Sequence, residues 1–171
     1  KKLKLQAKAD YFGNVIVRKP ASSGRERVRS VALQGHLDMV CERDPASAND
    51  PTIGKIALAR DGEWLTADGT TLGADDGVAI AAMMALVEDG THPHGPLELL
   101  MTVAEEVGLE GANDLDGSLL TGSTLINLDS EEDGVLTVGC AGSTDTWIRV
   151  EAPRSACSPD AVTLSLTAEG G

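Results

Sequence analysis

His36 and Asp38 close the apolar run Val31–Gln34, separated by a single residue in Gly35-His36-Leu37-Asp38. In extended backbone, residues two apart point to the same side. Asp38 can then accept one ring N–H of His36 and leave the other nitrogen free for a cation. The same two residues also read as an ordinary surface histidine beside a charge. Glu105 and Glu106 follow the apolar run Leu97–Val103, and Asp129 follows Leu125–Leu128. Neighbours in a regular strand face opposite ways, so Glu105 and Glu106 serve one site only if the strand has ended and the chain turns, which Gly108 allows. One acid then ligates a metal and the other acts as a base; otherwise both are solvated surface. Asp75 and Asp76, in Leu72-Gly73-Ala74-Asp75-Asp76-Gly77, precede a helix. They either cap it, stabilised by its dipole, or place a carboxylate where it bridges two cations. One imidazole among hard oxygen donors suits zinc, manganese or cobalt better than a thiolate site would.

These side chains need a scaffold that delivers them to one rim. Strands are expected at Val15–Arg18, Val31–Gln34, Leu97–Val103 and Leu125–Leu128, each rich in Val, Ile or Leu. Ile56–Arg60 and Glu63–Thr66 flank Asp61-Gly62, a hairpin signal. A helix is expected over Val78–Asp89, with Ile80, Met83, Met84 and Val87 at helical spacing and Gly90 ending it. A shorter helix is expected near Gly111–Leu115. Near-continuously apolar strands beside a helix indicate an α/β fold, with a largely parallel or mixed sheet flanked by helices on both faces. In such sheets the carboxyl ends of the strands form the ligand crevice. From Thr144 the pattern changes to alternating strands, Thr144–Val150 and Val162–Ala168, separated by Glu151–Asp160 with two prolines. Residues 1–143 are therefore expected to form one domain and 144–171 the start of a second, α+β domain.

Composition excludes several classes. The 171 residues carry 14 Lys+Arg against 27 Asp+Glu, a net charge of −13, which repels phosphate backbones and argues against nucleic-acid partners. Trp64, Trp147, Tyr11 and Phe12 are too few for base-stacking platforms. No apolar run is long enough to span a membrane. Cys41, Cys140 and Cys157 are odd in number and form no CxxC pair, which fits a reducing, cytoplasmic setting without a disulfide framework. Ser130-Glu131-Glu132-Asp133-Gly134 reads as a solvated turn and lacks the ligand spacing of an EF-hand loop. His92 and His94 sit in a proline-containing loop and are expected to be structural or surface residues. The chain begins at Lys1 without an initiator Met and ends at Gly170-Gly171 directly after a strand-like run, so it reads as a piece of a longer protein.

The ordered set of motifs resembles the co-catalytic zinc exopeptidases that include carnosinase, aminoacylase and carboxypeptidase G, in particular their dipeptidase branch. The matching pieces are Leu33 to Val40, Asp61-Gly62-Glu63-Trp64, Gly69 to Asp75, His94 to Glu98, Thr102 to Gly108, Ile126 to Glu132 and Val138-Gly139-Cys140-Ala141-Gly142. The resemblance implies two zinc ions per site in the full-length protein, with manganese or cobalt as alternatives. It implies that His36 binds one metal with Asp129, Glu106 binds the other, and Asp75 bridges both. Glu105 is the implied general base and Asp38 the implied partner of His36. Asp76 receives no catalytic role, and a non-proline cis peptide is implied after Asp75. The implied reaction is hydrolysis of Xaa-His-type and other dipeptides by metal-activated water. The family also needs a late histidine ligand and a lid domain. No histidine follows His94, so the isolated chain is expected to be inactive or nearly so. A homodimer through the lid is compatible with the resemblance. Two other readings use the same residues: an amidohydrolase acting on N-acyl amino acids, and a non-catalytic acidic metal-binding or interaction module.

Overall fold

The computed structural model describes residues 3–54 and 56–130, and scattered positions from 132 to 165. Cys140, Cys157 and most of the expected strands Thr144–Val150 and Val162–Ala168 lie outside the described residues. The chain divides into two compact units, Lys1–Asp133 and Gly134–Gly171, and the elements below all belong to the first.

In chain order these are β1 (Gln6–Ala9), β2 (Val15–Lys19), β3 (Val31–His36), β4 (Leu58–Asp61), β5 (Trp64–Ala67), α1 (Ala74–Glu88), β6 (Leu97–Thr102), α2 (Glu110–Asn113) and β7 (Thr124–Asn127), with one 3-10 turn at Gly117–Leu119. Five strands form a mixed sheet in the order β1-β2-β6-β3-β7. β3 runs parallel to both β6 and β7, while β1 and β2 add antiparallel strands on the far side. The α/β expectation therefore holds, in its mixed form. β4 and β5 make a separate hairpin in which Asp61 pairs with Trp64, so the turn residues are Gly62 and Glu63, one place later than expected.

The core lies where β6 meets β3 and α1. Ile16, Ala32, Ala79, Met83, Leu97, Leu99 and Leu100 are buried there, and full burial of a side chain such as Met83 or Leu99 stabilises the fold by about 1.5–3 kcal/mol. α1 turns Ala79 and Met83 to the sheet but leaves Met84 and Val78 exposed. The expected stripe is thus half right: this helix is apolar on every face, so spacing alone could not say which side is covered. Leu125 and Ile126 of β7 are also exposed, so this strand is not covered in the way two-sided burial would require. Among the described residues no helix is long and apolar enough to cross a membrane.

Both ends of α1 differ from expectation. Gly73 enters it in the left-handed region, and the Asp75–Asp76 peptide is cis with both residues outside helical geometry. Neither aspartate caps the helix among the described hydrogen bonds; both carboxylates turn toward β3 instead. At the other end Asp89 is extended and Gly90 is not left-handed. Lys19 of β2 closes that end, its ammonium donating to the carbonyls of Leu86 (2.8 Å) and Asp89 (3.0 Å). A cation there satisfies the last carbonyls and suits the helix dipole, so no glycine is needed.

Candidate metal centre

β3 extends two residues beyond the expected run and ends on His36, which is 1% exposed. Its Nδ1 lies 2.9 Å from the main-chain carbonyl of Asp38 and 3.5 Å from the Asp38 carboxylate. Asp38 is the expected partner, but through a different atom. The Asp38 carboxylate is occupied elsewhere, accepting the main-chain N–H groups of Glu105 and Glu106, both at 3.1 Å. Those two bonds hold its carboxyl below the usual range despite burial, which pushes the other way. Each charge-assisted bond is worth about 1.5–3 kcal/mol, so Asp38→Ala is expected to speed hydrogen exchange at the Glu105 and Glu106 amides by at least about tenfold. Unchanged exchange at both would show that the carboxylate is not what holds this turn.

The turn itself satisfies the condition set for Glu105 and Glu106. β6 stops at Thr102, Ala104 takes a left-handed conformation, and the Glu105 carbonyl accepts from Gly108 and Leu109. The backbone has left the strand, so adjacent residues are free to face one site. Asn14, fully buried, fixes the start of this turn: its Oδ1 accepts from Val103 and its Nδ2 donates to the Gly111 carbonyl and to Asp10.

Around His36 the carboxylates converge. Its Nε2 is 3.0 Å from Asp75 Oδ1 and 3.8 Å from Asp129 Oδ2. Ligand atoms of His36, Asp76 and Asp129 lie within 4.8 Å of one another, and so do those of His36, Glu105 and Glu106. A main-chain carbonyl only accepts, so Nδ1 must carry the proton shared with Asp38. In a neutral ring Nε2 then offers a bare lone pair to a carboxylate that also only accepts. Such a pair is favourable only with a proton or a metal cation between them. Two ligands of a tetrahedral zinc, with bonds of about 2.0–2.2 Å, are spaced about 3.3 Å apart, and 3.0 and 3.8 Å bracket that value. His36, Asp75 and Asp129 thus fit a metal ion by donor type and spacing.

The electrostatics agree. Burial disfavours charge on His36, yet its pKa is raised, because the Asp75 hydrogen bond, the charges of Asp129 and Glu105 and the Asp38 carbonyl outweigh it. Burial raises Asp129 and Glu105. Asp75 adds to the rise at Asp129; Asp129, Glu106 and Asp38 add to it at Glu105, and His36 opposes both. A crowd of carboxylates that resist sharing their charge is stabilised by a bound cation.

The six candidates are therefore brought together, and Asp76, for which the resemblance implies no catalytic role, stands among them. It is 4% exposed, and its Oδ2 accepts the main-chain N–H of His36 at 2.9 Å. The signal available was the doubled aspartate at a helix start, where one of the pair must face inward. His92 and His94 lie apart from the cluster: His92 is exposed and paired with Asp89, and His94 bonds the Gly95 carbonyl. Glu131 and Asp133 of the acidic turn lie outside the described residues.

The pattern of Peptidase family M28 matches residues 14–146, the stretch that contains every one of these side chains. The chain belongs to that family. Among curated proteins, this M28 chain is 44% identical over 161 residues to the cytosol non-specific dipeptidase of Escherichia coli (strain K12), covering 94% of this chain and 33% of the relative. It is 33% identical to the uncharacterized protein YqjE of Bacillus subtilis over 70% of this chain and 30% of the relative. Among solved structures, aminoacylhistidine dipeptidase from Vibrio alginolyticus matches with a TM-score of 0.73 and 42% identity, over 76% of this chain and 26% of that one. A tripeptidase from Staphylococcus aureus matches with a TM-score of 0.63 and 26% identity, over 77% of this chain and 35% of that one. The M28 chain thus spans about a third of the length of its relatives.

Proposed function

We propose that this chain carries the larger part of the metal centre of a dipeptidase that hydrolyses Xaa-His-type and other dipeptides in the cytosol. The observation that carries the reading is the meeting of His36, Asp75, Asp129 and the Glu105–Glu106 pair at the carboxyl ends of three parallel strands, in a chain of a peptidase family. His36, Asp129, Asp75 and Glu106 would hold the metal, His36 and Asp129 one zinc ion, Glu106 a second and Asp75 both; manganese or cobalt would suit the same donors. When bound, such ions supply Lewis acidity and lower the pKa of water toward neutrality. Glu105, half-buried beside His36, accepts the proton of the attacking water and passes it to the leaving amine nitrogen. Asp38 holds the His36 ring through its carbonyl and the Glu105–Glu106 turn through its carboxylate. A cationic leaving residue suits the acidic surroundings.

His92 and His94 lie apart from the cluster and no histidine follows His94 in the sequence, so His36 is the one imidazole at the site among the described residues. The chain alone is accordingly proposed to turn over dipeptides poorly or not at all. Residues 144–171 are proposed as the start of a lid domain through which the full-length protein forms a homodimer.

The deciding experiment is zinc bound per folded chain, with circular dichroism as the folding control. Wild type is expected to bind zinc near stoichiometrically and His36→Ala to lose it. A folded wild type that binds none, or a His36→Ala chain that binds as much, sinks the assignment.

A further inference from the structure

The main chain at His36 has an open side. Leu37 donates its N–H to Thr102 of β6, and successive N–H groups of a strand point to opposite edges, so the His36 N–H faces the β7 edge. There β7 has already stopped, its last pairing with β3 being Asn127 with Gln34. A buried N–H needs an acceptor, and the Asp76 carboxylate reaches across from the start of α1 to supply it, Oδ2 to N at 2.9 Å. Gly35 makes the approach feasible: a Cβ there would overlap Asp76 Oδ2 and lie 3.0 Å from Ala79 Cβ and 3.3 Å from Met83 Cε.

We propose that Asp76 is a positioning residue of the metal centre. Its side-chain oxygen replaces the missing strand carbonyl at His36 and fastens the first turn of α1 to the end of β3, which holds Asp75 Oδ1 and His36 Nε2 3.0 Å apart. The requirement is an acceptor oxygen at that place, and the charge is dispensable. Asparagine meets the requirement; alanine does not. Gly35 belongs to the same device, because the atom a side chain there would displace is the acceptor itself. This inference rests on the proposed metal centre.

The test is the zinc dissociation constant of the 171-residue chain, measured against a chromophoric chelator, for wild type, Asp76→Ala, Asp76→Asn and Gly35→Ala. Folding is checked by circular dichroism and the His36 amide is followed by hydrogen exchange. Loss of a group that orients a ligand weakens metal binding about 10–100-fold, which is expected for Asp76→Ala and for Gly35→Ala, with faster exchange at His36. Asp76→Asn is expected to restore both zinc affinity, to within about threefold, and amide protection. Should Asp76→Ala fail to fold, the asparagine and Gly35→Ala chains decide. A folded Asp76→Asn that has lost zinc overturns the inference, and so does a folded Asp76→Ala or Gly35→Ala that binds like wild type. A wild type that binds no zinc overturns the metal centre and this inference together, so the two failures are distinct.

Discussion

In the full-length protein, Glu105→Ala is expected to lower kcat on dipeptides by about 10²–10⁴-fold, the range a positioned general base contributes, while zinc content stays near that of wild type. The reason lies in what each glutamate is free to do. Glu106 is the exposed member of the pair and is proposed to be committed to a metal, whereas Glu105 is half-buried. Burial, with the charges of Asp129, Glu106 and Asp38 and against that of His36, raises its carboxyl above the ordinary range. A carboxylate that binds a proton more readily is a better acceptor for the proton of an attacking water. Glu106→Ala, in contrast, is expected to show its loss in bound zinc. Turnover numbers and zinc content for the two variants separate base from ligand. A Glu105→Ala protein as active as wild type would remove the base assignment.

The second large effect is on stability and lies away from the site. Glu98 is 2% exposed. Its carboxylate accepts from the Thr121 N–H (2.9 Å), the Thr121 hydroxyl (2.9 Å), the Gly122 N–H (2.8 Å) and the Arg18 guanidinium (3.3 Å). Glu98→Ala removes the buried acceptor of all these bonds and is expected to cost about 3 kcal/mol, lowering the thermal midpoint of the chain by about 6–12 °C. The effect depends on pH with a definite sign. Burial raises the Glu98 carboxyl, but the bonds from Gly122, Thr121 and Arg18 prevail and hold it below its ordinary 4.5. A depressed folded value gives stability that is complete above the unfolded value and is lost as pH falls through the folded one. The gap between wild type and Glu98→Ala should therefore be widest near neutrality and shrink as the pH drops below 4.5. Melting curves from pH 7 to pH 3 measure it; a gap that widens on acidification contradicts the account.

Much of the scaffold could be read from residue types. β3 and β6 are runs of branched apolar residues, and each ends in the polar residues of the site, so strand, rim and chemistry were legible together. β1 was not, because Gln6–Ala9 is exposed along its length and held by main-chain pairing to β2, which leaves no apolar pattern. The covered face of α1 was illegible for the opposite reason, an excess of apolar residues on all sides. At the site, residue types were informative and atoms were not. Asp38 was paired with His36 from spacing, yet it touches the ring through its carbonyl and uses its carboxylate on Glu105 and Glu106. Asp76 was passed over because its partner is a main-chain N–H forty residues away, and side-chain identity says nothing about which backbone group lacks an acceptor.

The parallel pairings also dictate when the site can come into existence. Gln34 on β3 bonds the side chain of Thr102, 68 residues away, and that of Asn127, 93 residues away. His36 and Asp129 become neighbours only after both of these large loops have closed. Closure of such distant segments is slow compared with hairpin or helix formation. The proposed metal centre is thus a late event on the folding path, and zinc added to the unfolded chain is expected to bind there only once the sheet is complete.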